Sequence, residues 1–219
     1  SGIDALVKKL DGHPFKGVLG VNIGKNKETT NKLAVSDYLL CVEKAASVCD
    51  YITVNLSSPN TPGLRDLASA NNIVDTVKPI VDRGSGLRNR RGSNLPIFVK
   101  LAPDFDDDSL LYVLEALISV GIDAVVLTNT TVCRANLYGQ NRKESGGLSG
   151  APLASKSEHC LKIASKFLDG RIPIVSVGGI MTADCCRQRL ATGASLVQVY
   201  SGLIYRGPSL IKKAISITK

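Results

Sequence analysis

The sequence predicts an α/β protein built as a (β/α)8 TIM barrel that lacks its first two strands. Predicted strands and helices alternate along all 219 residues, and no linker or change of composition divides the chain. Several strands are continuously apolar, which is typical of a parallel sheet covered by helices on both faces. The sequence contains six predicted strands in all, whereas a closed barrel needs eight. We therefore expect one barrel domain over residues 1–219, incomplete at its N-terminus.

The first half of the chain contains four helices and three strands. Residues 3–10 place apolar side chains at helical spacing, and Asp11-Gly12 ends this helix. Residues 37–49 and 109–120 show the same spacing, and three acidic residues precede the second of these helices, where the helix dipole favours them. The other predicted elements are a helix at 71–81 and strands at 17–24, 50–57 and 96–102.

The second half repeats this alternation. A long glycine-rich loop runs to about residue 152 between a strand and a helix. Thr182 caps a helix that ends near Gly193, and Pro208 opens the last helix from a first-turn position. The other predicted elements are strands at 122–128, 171–179 and 194–201 and a helix at 157–168.

Composition and charge exclude several classes of protein. Hydrophobic residues make up 44% of the chain and charged residues 21%, which is ordinary for a globular protein and excludes a disordered one. The formal charge of +8 favours anionic partners. Part of this excess lies in Arg83–Arg91, which has four arginines and no acidic residue, and which we predict to be a mobile, solvated loop.

Cysteine and histidine usage argues against a metal site. The six cysteines form no CxxC motif, and the chain has two histidines, so we expect reduced cysteines that act as small core residues. Aromatic residues amount to 5% and tryptophan is absent, which disfavours a stacking surface for nucleic acid. No apolar run has the length of a membrane-spanning helix, so we expect this segment itself to be soluble.

Polar residues gather directly after the predicted strands. Asn55, Ser58 and Asn60 lie in a loop that two prolines and a glycine stiffen, and Thr128–Thr131 follow a later strand. Ordinary turn chemistry would also explain both groups. Lys100, near the end of an apolar strand, needs either an anionic ligand or a salt bridge to a neighbouring strand. In a barrel these strand ends carry the active site, and in a doubly wound sheet they would flank a crevice.

Two glycine-containing turns, Gly178-Gly179 and Tyr200–Gly202, end the last two strands. In barrels the loops after the final strands often bind phosphate through backbone N–H groups and a helix N-terminus. Residues Ser145–Gly150 would add donors or form a lid. No catalytic triad, acid pair or metal cluster accompanies these turns. We therefore expect a planar ligand rich in hydrogen bonds, and a cofactor that performs the difficult chemical step.

Seven segments spread over residues 18–207 carry a resemblance to a known family. They are GVNIGKN, VNLSSPNTPGLR, VKLAPD, VLTNTT, GGLSG, PIVSVGGI and GASLVQVYSGL. Together and in this order they resemble dihydroorotate dehydrogenase, the FMN enzyme of pyrimidine synthesis, whose members are (β/α)8 barrels. The motif NLSSPN has serine at position 58, which resembles the membrane-associated, quinone-reducing class, since the soluble class has cysteine there.

The resemblance implies a role for each matching residue. Ser58 would take the proton from C5 of dihydroorotate while a hydride leaves C6 for N5 of FMN, and Lys100 would stabilise the anionic reduced flavin. The residues implied to hold the substrate are Asn55, Asn60, Asn129 and Thr130. Those implied to line the flavin ring are Asn22, Asn55, Lys100 and Thr128, and those implied to hold its ribityl phosphate are Gly150, Gly179, Tyr200 and Ser201.

The resemblance also implies partners. Dihydroorotate would be oxidised to orotate, and ubiquinone would accept the electrons through an N-terminal region that has no counterpart in this chain. That region would attach a eukaryotic protein to the mitochondrial inner membrane, or a bacterial one to the cytoplasmic membrane. We expect a monomer that binds no nucleic acid.

Two alternatives remain open. Another FMN barrel, such as a dihydropyrimidine or dihydrouridine reductase, is expected to use cysteine as its acid or base, so Ser58 argues against it. A basic nucleic-acid-binding module would use the arginine-rich segment, and its binding would depend steeply on salt.

Overall fold

The computed structural model describes residues 2–135, 137 and 139–218, so two residues of the predicted glycine-rich loop, 136 and 138, lie outside the described residues. At the centre is one parallel sheet whose strand order is the order of the chain. The described strands are β1 (Gly20–Ile23), β2 (Tyr51–Asn55), β3 (Ile97–Leu101), β4 (Ala124–Leu127), β5 (Ile174–Val177) and β6 (Leu196–Gln198). Each predicted strand is confirmed, at a shorter length.

The sheet curls into a half-barrel. Tyr51 on β2 and Gln198 on β6 line the same cavity of about 140 Å³. In a flat sheet these strands would lie roughly 19 Å apart, at four spacings of about 4.8 Å. The Tyr51 ring also stacks on Phe98 with their centroids 4.6 Å apart. It lies so close to Gly20, its partner in the β1–β2 ladder, that a side chain at position 20 would collide with the ring.

Helices cover the outer face of the sheet. Val125 and Leu127 of β4 pack into the main core with the helices, whereas Ala124 and Val126 face the inner side of the half-barrel. All four residues of β4 are buried, as are all four of β5, which confirms coverage on both faces for these two strands, whereas β6 is exposed or half-buried throughout. The described helices are α1 (Ile3–Leu10), α2 (Ala34–Ala45), α3 (Ile73–Ser85), α4 (Asp107–Ser119), α5 (Ala154–Leu168), α6 (Ala183–Ala191), α7 (Ser201–Arg206) and α8 (Ser209–Thr218). Within the described ranges none of them has the length and apolar content that crossing a bilayer requires.

The largest difference from the predicted elements follows β6. The strand predicted at 194–201 ends at Gln198, and α7 begins at Ser201. Gly202 allows this helix to pack closely against the turn after β5, because a Cβ there would collide with the backbone carbonyl of Ile180.

The arginine-rich segment is not the solvated loop that the sequence predicted. Arg83 belongs to α3. Arg90 Nη2 lies 2.8 Å and Arg91 Nε 2.5 Å from the carboxylate of Asp50, which is buried directly before β2. Burial by itself would raise the pKa of Asp50, but hydrogen bonds from Arg90, the Leu19 N–H and Arg91 hold that pKa well below its ordinary value. The segment is thus fastened to the N-terminal end of the sheet.

Candidate active site

A cavity of about 440 Å³ opens at the C-terminal ends of β3, β4, β5 and β6. This is the edge of the sheet at which the strand-end pattern predicted a site. Eight of the twelve predicted site residues line it: Lys100, Thr128, Asn129, Thr130, Gly150, Gly179, Tyr200 and Ser201. The other four, Asn22, Asn55, Ser58 and Asn60, lie beside it on β1, at the end of β2 and in the loop after β2.

Lys100 is a half-buried cation at the junction of two cavities. It lines the 440 Å³ cavity and a second cavity of about 140 Å³, which Asn22 and Gln198 also line. Within the described part of the chain Lys100 forms no salt bridge, so the predicted alternative of a structural ion pair is not observed there. Burial lowers the pKa of its ammonium group. An anionic group in either cavity would relieve the cost of this partly desolvated charge.

Asn55, Ser57 and Asn129 form a hydrogen-bonded cluster next to Lys100. The amide nitrogen of Asn129 donates to Asn55 Oδ1 and to Ser57 Oγ, both at 3.0 Å. The Ser57 hydroxyl donates to the backbone carbonyl of Lys100 at 2.9 Å. Sequence reasoning chose Asn55 and Asn129 but missed Ser57, which is fully buried and fixes the loop after β2 to β3.

The loop after β2 presents Ser58 and Asn60 beneath a glycine-rich segment. Ser58 is half-buried, and its Oγ accepts a hydrogen bond from the Asn60 N–H at 3.4 Å. A Cβ on Gly146 would lie 3.0 Å from Asn60 Oδ1, and one on Gly147 would collide with Thr130. The segment 145–150, predicted as a source of donors or a lid, therefore packs directly over two predicted substrate residues.

A charged cluster that the sequence did not predict holds the loops together. Arg65 donates to the backbone carbonyls of Ser57 at 3.3 Å and Thr130 at 3.1 Å, and its Nη1 lies 2.9 Å from Asp104. Asp104 also pairs with Lys156 at 2.9 Å. Burial raises the pKa of Asp104, but hydrogen bonds to its carboxylate from neighbouring groups outweigh this, and the net pKa lies below the ordinary value. The loops after β2, β3 and β4 are thus tied to one another.

The other end of the cavity is built from close-packed backbone. Gly178 and Gly179 have φ angles of 113° and 71°, which favour glycine, and a Cβ on Gly179 would collide with the backbone of Ala154. Within the described residues, the N–H groups of Gly150 and Gly179 donate to no protein acceptor. Ser201 begins α7, and its Oγ lies 2.9 Å from Ser149 Oγ. Free N–H groups and hydroxyls of this kind suit the oxygen atoms of a phosphate.

The described residues contain no group of three or more histidine, cysteine, aspartate or glutamate side chains placed to hold a metal ion. The polar groups that line the cavity or lie next to it are therefore one lysine, neutral amides and hydroxyls, and free backbone N–H groups.

The fold and the site define a class of protein, the α/β barrels with a polar cavity at the C-terminal strand ends. Within that class, the chain belongs to the dihydroorotate dehydrogenase family: the profile described as "Dihydroorotate dehydrogenase" matches residues 1–217. A protein named dihydroorotate dehydrogenase (quinone) from Pseudomonas fluorescens (strain Pf0-1) is 44% identical over 215 residues, which cover 98% of this chain and 63% of that protein. A protein of the same name from Pseudomonas aeruginosa (strain LESB58) is also 44% identical to this chain, over the same shares of the two sequences.

Solved structures agree with this assignment. The crystal structure of DHODH from Eimeria tenella in complex with ferulenol superposes with a TM-score of 0.89 at 32% identity, covering 99% of this chain and 65% of that one. The ligand-free form from the same organism gives a TM-score of 0.90 at 33% identity, with coverages of 98% and 65%. This chain thus spans a little under two thirds of the length of these relatives. The predicted family and the predicted barrel fold are confirmed.

Proposed function

We propose that this chain forms the FMN- and substrate-binding part of a quinone-dependent dihydroorotate dehydrogenase, which oxidises dihydroorotate to orotate in pyrimidine synthesis. The observation that supports this most directly is the shape of the 440 Å³ cavity. It joins Lys100, a cation with no acidic partner among the described residues, to a turn with free backbone N–H groups. A flat ring that can become negatively charged would match the end with Lys100. A phosphate group, linked to that ring by a short chain, would match the turn with free N–H groups.

The residues at both ends fit FMN. Gly150, Gly179, Tyr200 and Ser201 would hold the phosphate, and Gly179 has no side chain, which allows this turn to pack directly against the backbone of Ala154. Asn22, Asn55, Lys100 and Thr128 would line the ring. When bound, FMN supplies the acceptor for the hydride that leaves C6 of dihydroorotate. The ammonium of Lys100 would stabilise negative charge on the ring.

The amide cluster would orient the substrate. Asn55 Oδ1 already accepts hydrogen bonds from Asn129 and Ser57, so its NH2 group is the part left to meet a carbonyl or carboxylate oxygen of a pyrimidine. Asn60 and Thr130 lie under the adjacent glycines Gly146 and Gly147 of the segment that covers them. Neutral amides and hydroxyls suit such a ring, since it presents both carbonyl acceptors and N–H donors.

Ser58 would take the proton from C5. An alcohol is a weak base, so the hydroxyl must pass its own proton on as it accepts the new one. No histidine or carboxylate among the described residues hydrogen-bonds Ser58 Oγ, which leaves water as the receiver of that proton. The Asn60 N–H at 3.4 Å would favour the negative charge that develops on the oxygen.

Quinone as the electron acceptor is supported by the serine at position 58 and by the names of the Pseudomonas relatives. We extend the proposal to association with a membrane, where quinones reside: the mitochondrial inner membrane in a eukaryote or the cytoplasmic membrane in a bacterium.

The visible spectrum of the purified protein that contains this chain tests the proposal. We expect the absorption bands of bound FMN, bleaching when dihydroorotate is added without oxygen, and recovery when a short-chain ubiquinone follows. Bleaching by a nicotinamide nucleotide but not by dihydroorotate would favour the reductase alternative. A colourless protein that takes up no FMN would overturn the proposal.

A further inference from the structure

A buried arginine lies behind the glycine turn of the cavity. Arg189 of α6 is 1% exposed. Its Nη2 donates to the carbonyl of Gly178 and to the carbonyl of Ala154, both at 3.1 Å. The same nitrogen lies 2.8 Å from Ser157 Oγ, and Nη1 lies 3.2 Å from Ser176 Oγ.

These contacts join the two backbone segments that form the phosphate end of the cavity. Gly178 precedes the turn residue Gly179, and Ala154 follows the segment that begins at Gly150. Gly179 packs against the backbone of Ala154 too closely to admit a side chain. Arg189 donates to a carbonyl of each segment from the side away from the cavity. Its hydrogen bonds therefore connect the two segments that carry the unpaired N–H groups of Gly150 and Gly179.

The charge of Arg189 is only partly balanced. The nearest carboxylate among the described residues is Glu158, 3.6 Å away and 42% exposed, and Arg189 Nε is buried with no hydrogen-bond partner there. A buried cation is costly unless another group compensates it. Within the protein, neutral carbonyls and hydroxyls supply most of that compensation. An anion on the far side of the turn would add to it, because Coulomb interactions are only weakly screened in a buried site.

We propose that Arg189 is a positioning residue for the phosphate group of the ligand: it holds the Gly178-Gly179 turn against Ala154 and adds positive charge behind it. This inference rests on the proposed function, and it specifies which end of the cofactor the residue serves. In this role Arg189 would not contact the ligand itself and would act through the backbone segments that contact it.

Paired titrations with FMN and riboflavin test the inference, because the two ligands differ only in the phosphate. The protein that contains this chain is freed of flavin and titrated, and quenching of flavin fluorescence gives both affinities. For Arg189→Met we expect FMN affinity to fall about 10- to 100-fold, as when a supporting residue behind a ligand-binding group is removed. Riboflavin affinity should change less than about threefold. Arg189→Lys, which keeps the charge, should restore most of the FMN affinity.

Arg187→Met is the matched control. Arg187 lies on the same helix, is exposed, and pairs only with Asp184 at 2.7 Å within the described residues, so its loss should leave both affinities unchanged. If Arg189→Met does not fold, Ser157→Ala replaces it. That variant removes one partner of Arg189 and the 2.7 Å bond from Ser157 Oγ to Gly178, and it should lower FMN affinity selectively by several-fold.

The outcomes separate the two levels of the proposal. A selective loss of FMN affinity that lysine rescues supports the positioning role. Equal losses of FMN and riboflavin affinity, or no loss of either, would overturn that role while leaving the proposed function intact. Failure of the unmodified protein to bind either flavin would overturn the proposed function, and the role of Arg189 with it.

Discussion

At the scale of single residues, the candidate site contains groups whose protonation is altered by their surroundings. Lys100 shows this most clearly, because burial lowers the pKa of its ammonium and no acidic side chain among the described residues offsets the effect. In the flavin-free protein, the partial desolvation of that charge costs free energy. The anionic ring of reduced FMN beside Lys100 would remove part of the cost, so binding of reduced FMN and protonation of Lys100 should favour each other.

This coupling gives a prediction with a definite sign. We expect the pKa of Lys100 to be lower in the flavin-free protein than in the complex with reduced FMN, so the affinity for reduced FMN should fall as the pH rises through the lower of the two values. Anaerobic NMR titration of the lysine side-chain carbon next to the ammonium, with and without reduced FMN, measures both pKa values. Lys100→Met identifies the signal. Identical Lys100 pKa values in the flavin-free protein and in the complex would contradict the proposal that Lys100 lies beside the flavin ring.

Ser58 gives a second prediction at this scale. We expect Ser58→Ala to retain FMN while the rate of flavin bleaching by dihydroorotate falls about 10²- to 10⁴-fold, the usual effect of losing a general base. Anaerobic stopped-flow absorbance measures the rate. Ser119→Ala is the control, since Ser119 is exposed on α4 and bonds only its own helix. Near-normal bleaching in Ser58→Ala would assign the proton transfer to another group.

The sequence predicted those site residues that follow strands, and missed those that support them. Asn55, Lys100 and Asn129 were found because a polar residue at the end of an apolar strand stands out. Ser57 was missed because nothing in two adjacent serines shows which one turns inward. Arg189 was missed because it lies within a polar helical run, where charged side chains usually face water.

At the scale of elements, the two ends of β2 are fixed by different means. The hydrogen-bonded cluster of Asn55 and Ser57 fixes its C-terminal end, and Asp50 with Arg90 and Arg91 fixes its N-terminal end. The second arrangement corrects the predicted solvated loop. The sequence could not show it because forty residues separate Asp50 from Arg90, and only the folded sheet brings them together.

Asp50 should therefore contribute to stability in a pH-dependent way. We expect Asp50→Asn to lower the free energy of unfolding at pH 7 by about 3 kcal/mol, because two arginines lose their buried partner. The pKa of Asp50 is depressed in the folded protein, so its contribution is complete above the unfolded value near 3.9 and declines as the pH falls below it. Urea unfolding at several pH values measures the difference between the two proteins.

Asp82→Asn is the matched control for this prediction. Asp82 is 58% exposed on α3 and pairs with Lys78 one helical turn away, so its loss should cost less than about 0.5 kcal/mol at any pH. A constant difference between Asp50→Asn and the unmodified protein down to pH 3 would contradict the assigned ionisation of Asp50.

At the scale of the whole molecule, the half-barrel leaves sheet edges and apolar side chains open. In the described residues β1 and β6 each pair with a strand on one side only. Leu196 is 59% exposed and Tyr200 75% exposed at the β6 edge. Unpaired edges and exposed apolar surface of this kind favour association between copies of a chain.

The predicted alternation of strands and helices located these elements correctly, since continuous apolar runs separate them clearly along the sequence.

Residues 1–219 produced alone should therefore be a poor enzyme. We expect aggregation, little bound FMN and no measurable oxidation of dihydroorotate, which size-exclusion chromatography, flavin extraction and an activity assay would show. A chimaera that adds the part of the Pseudomonas fluorescens relative not covered by this chain is the control, and it should regain flavin. A soluble, yellow and active product from residues 1–219 would contradict the incomplete-barrel interpretation.

The strand order also bears on how this sheet is assembled during synthesis. Each strand pairs with the strand that precedes it in the chain, so each pairing closes a loop that carries one of the described α-helices, together with longer irregular segments after β2 and β4. The entropy cost of closing such loops rises slowly with their length, and no pairing has to wait for a distant segment. The sheet can therefore grow in one direction as the chain leaves the ribosome, with β6 added last. A mutation that slows the docking of one strand should then delay every strand after it.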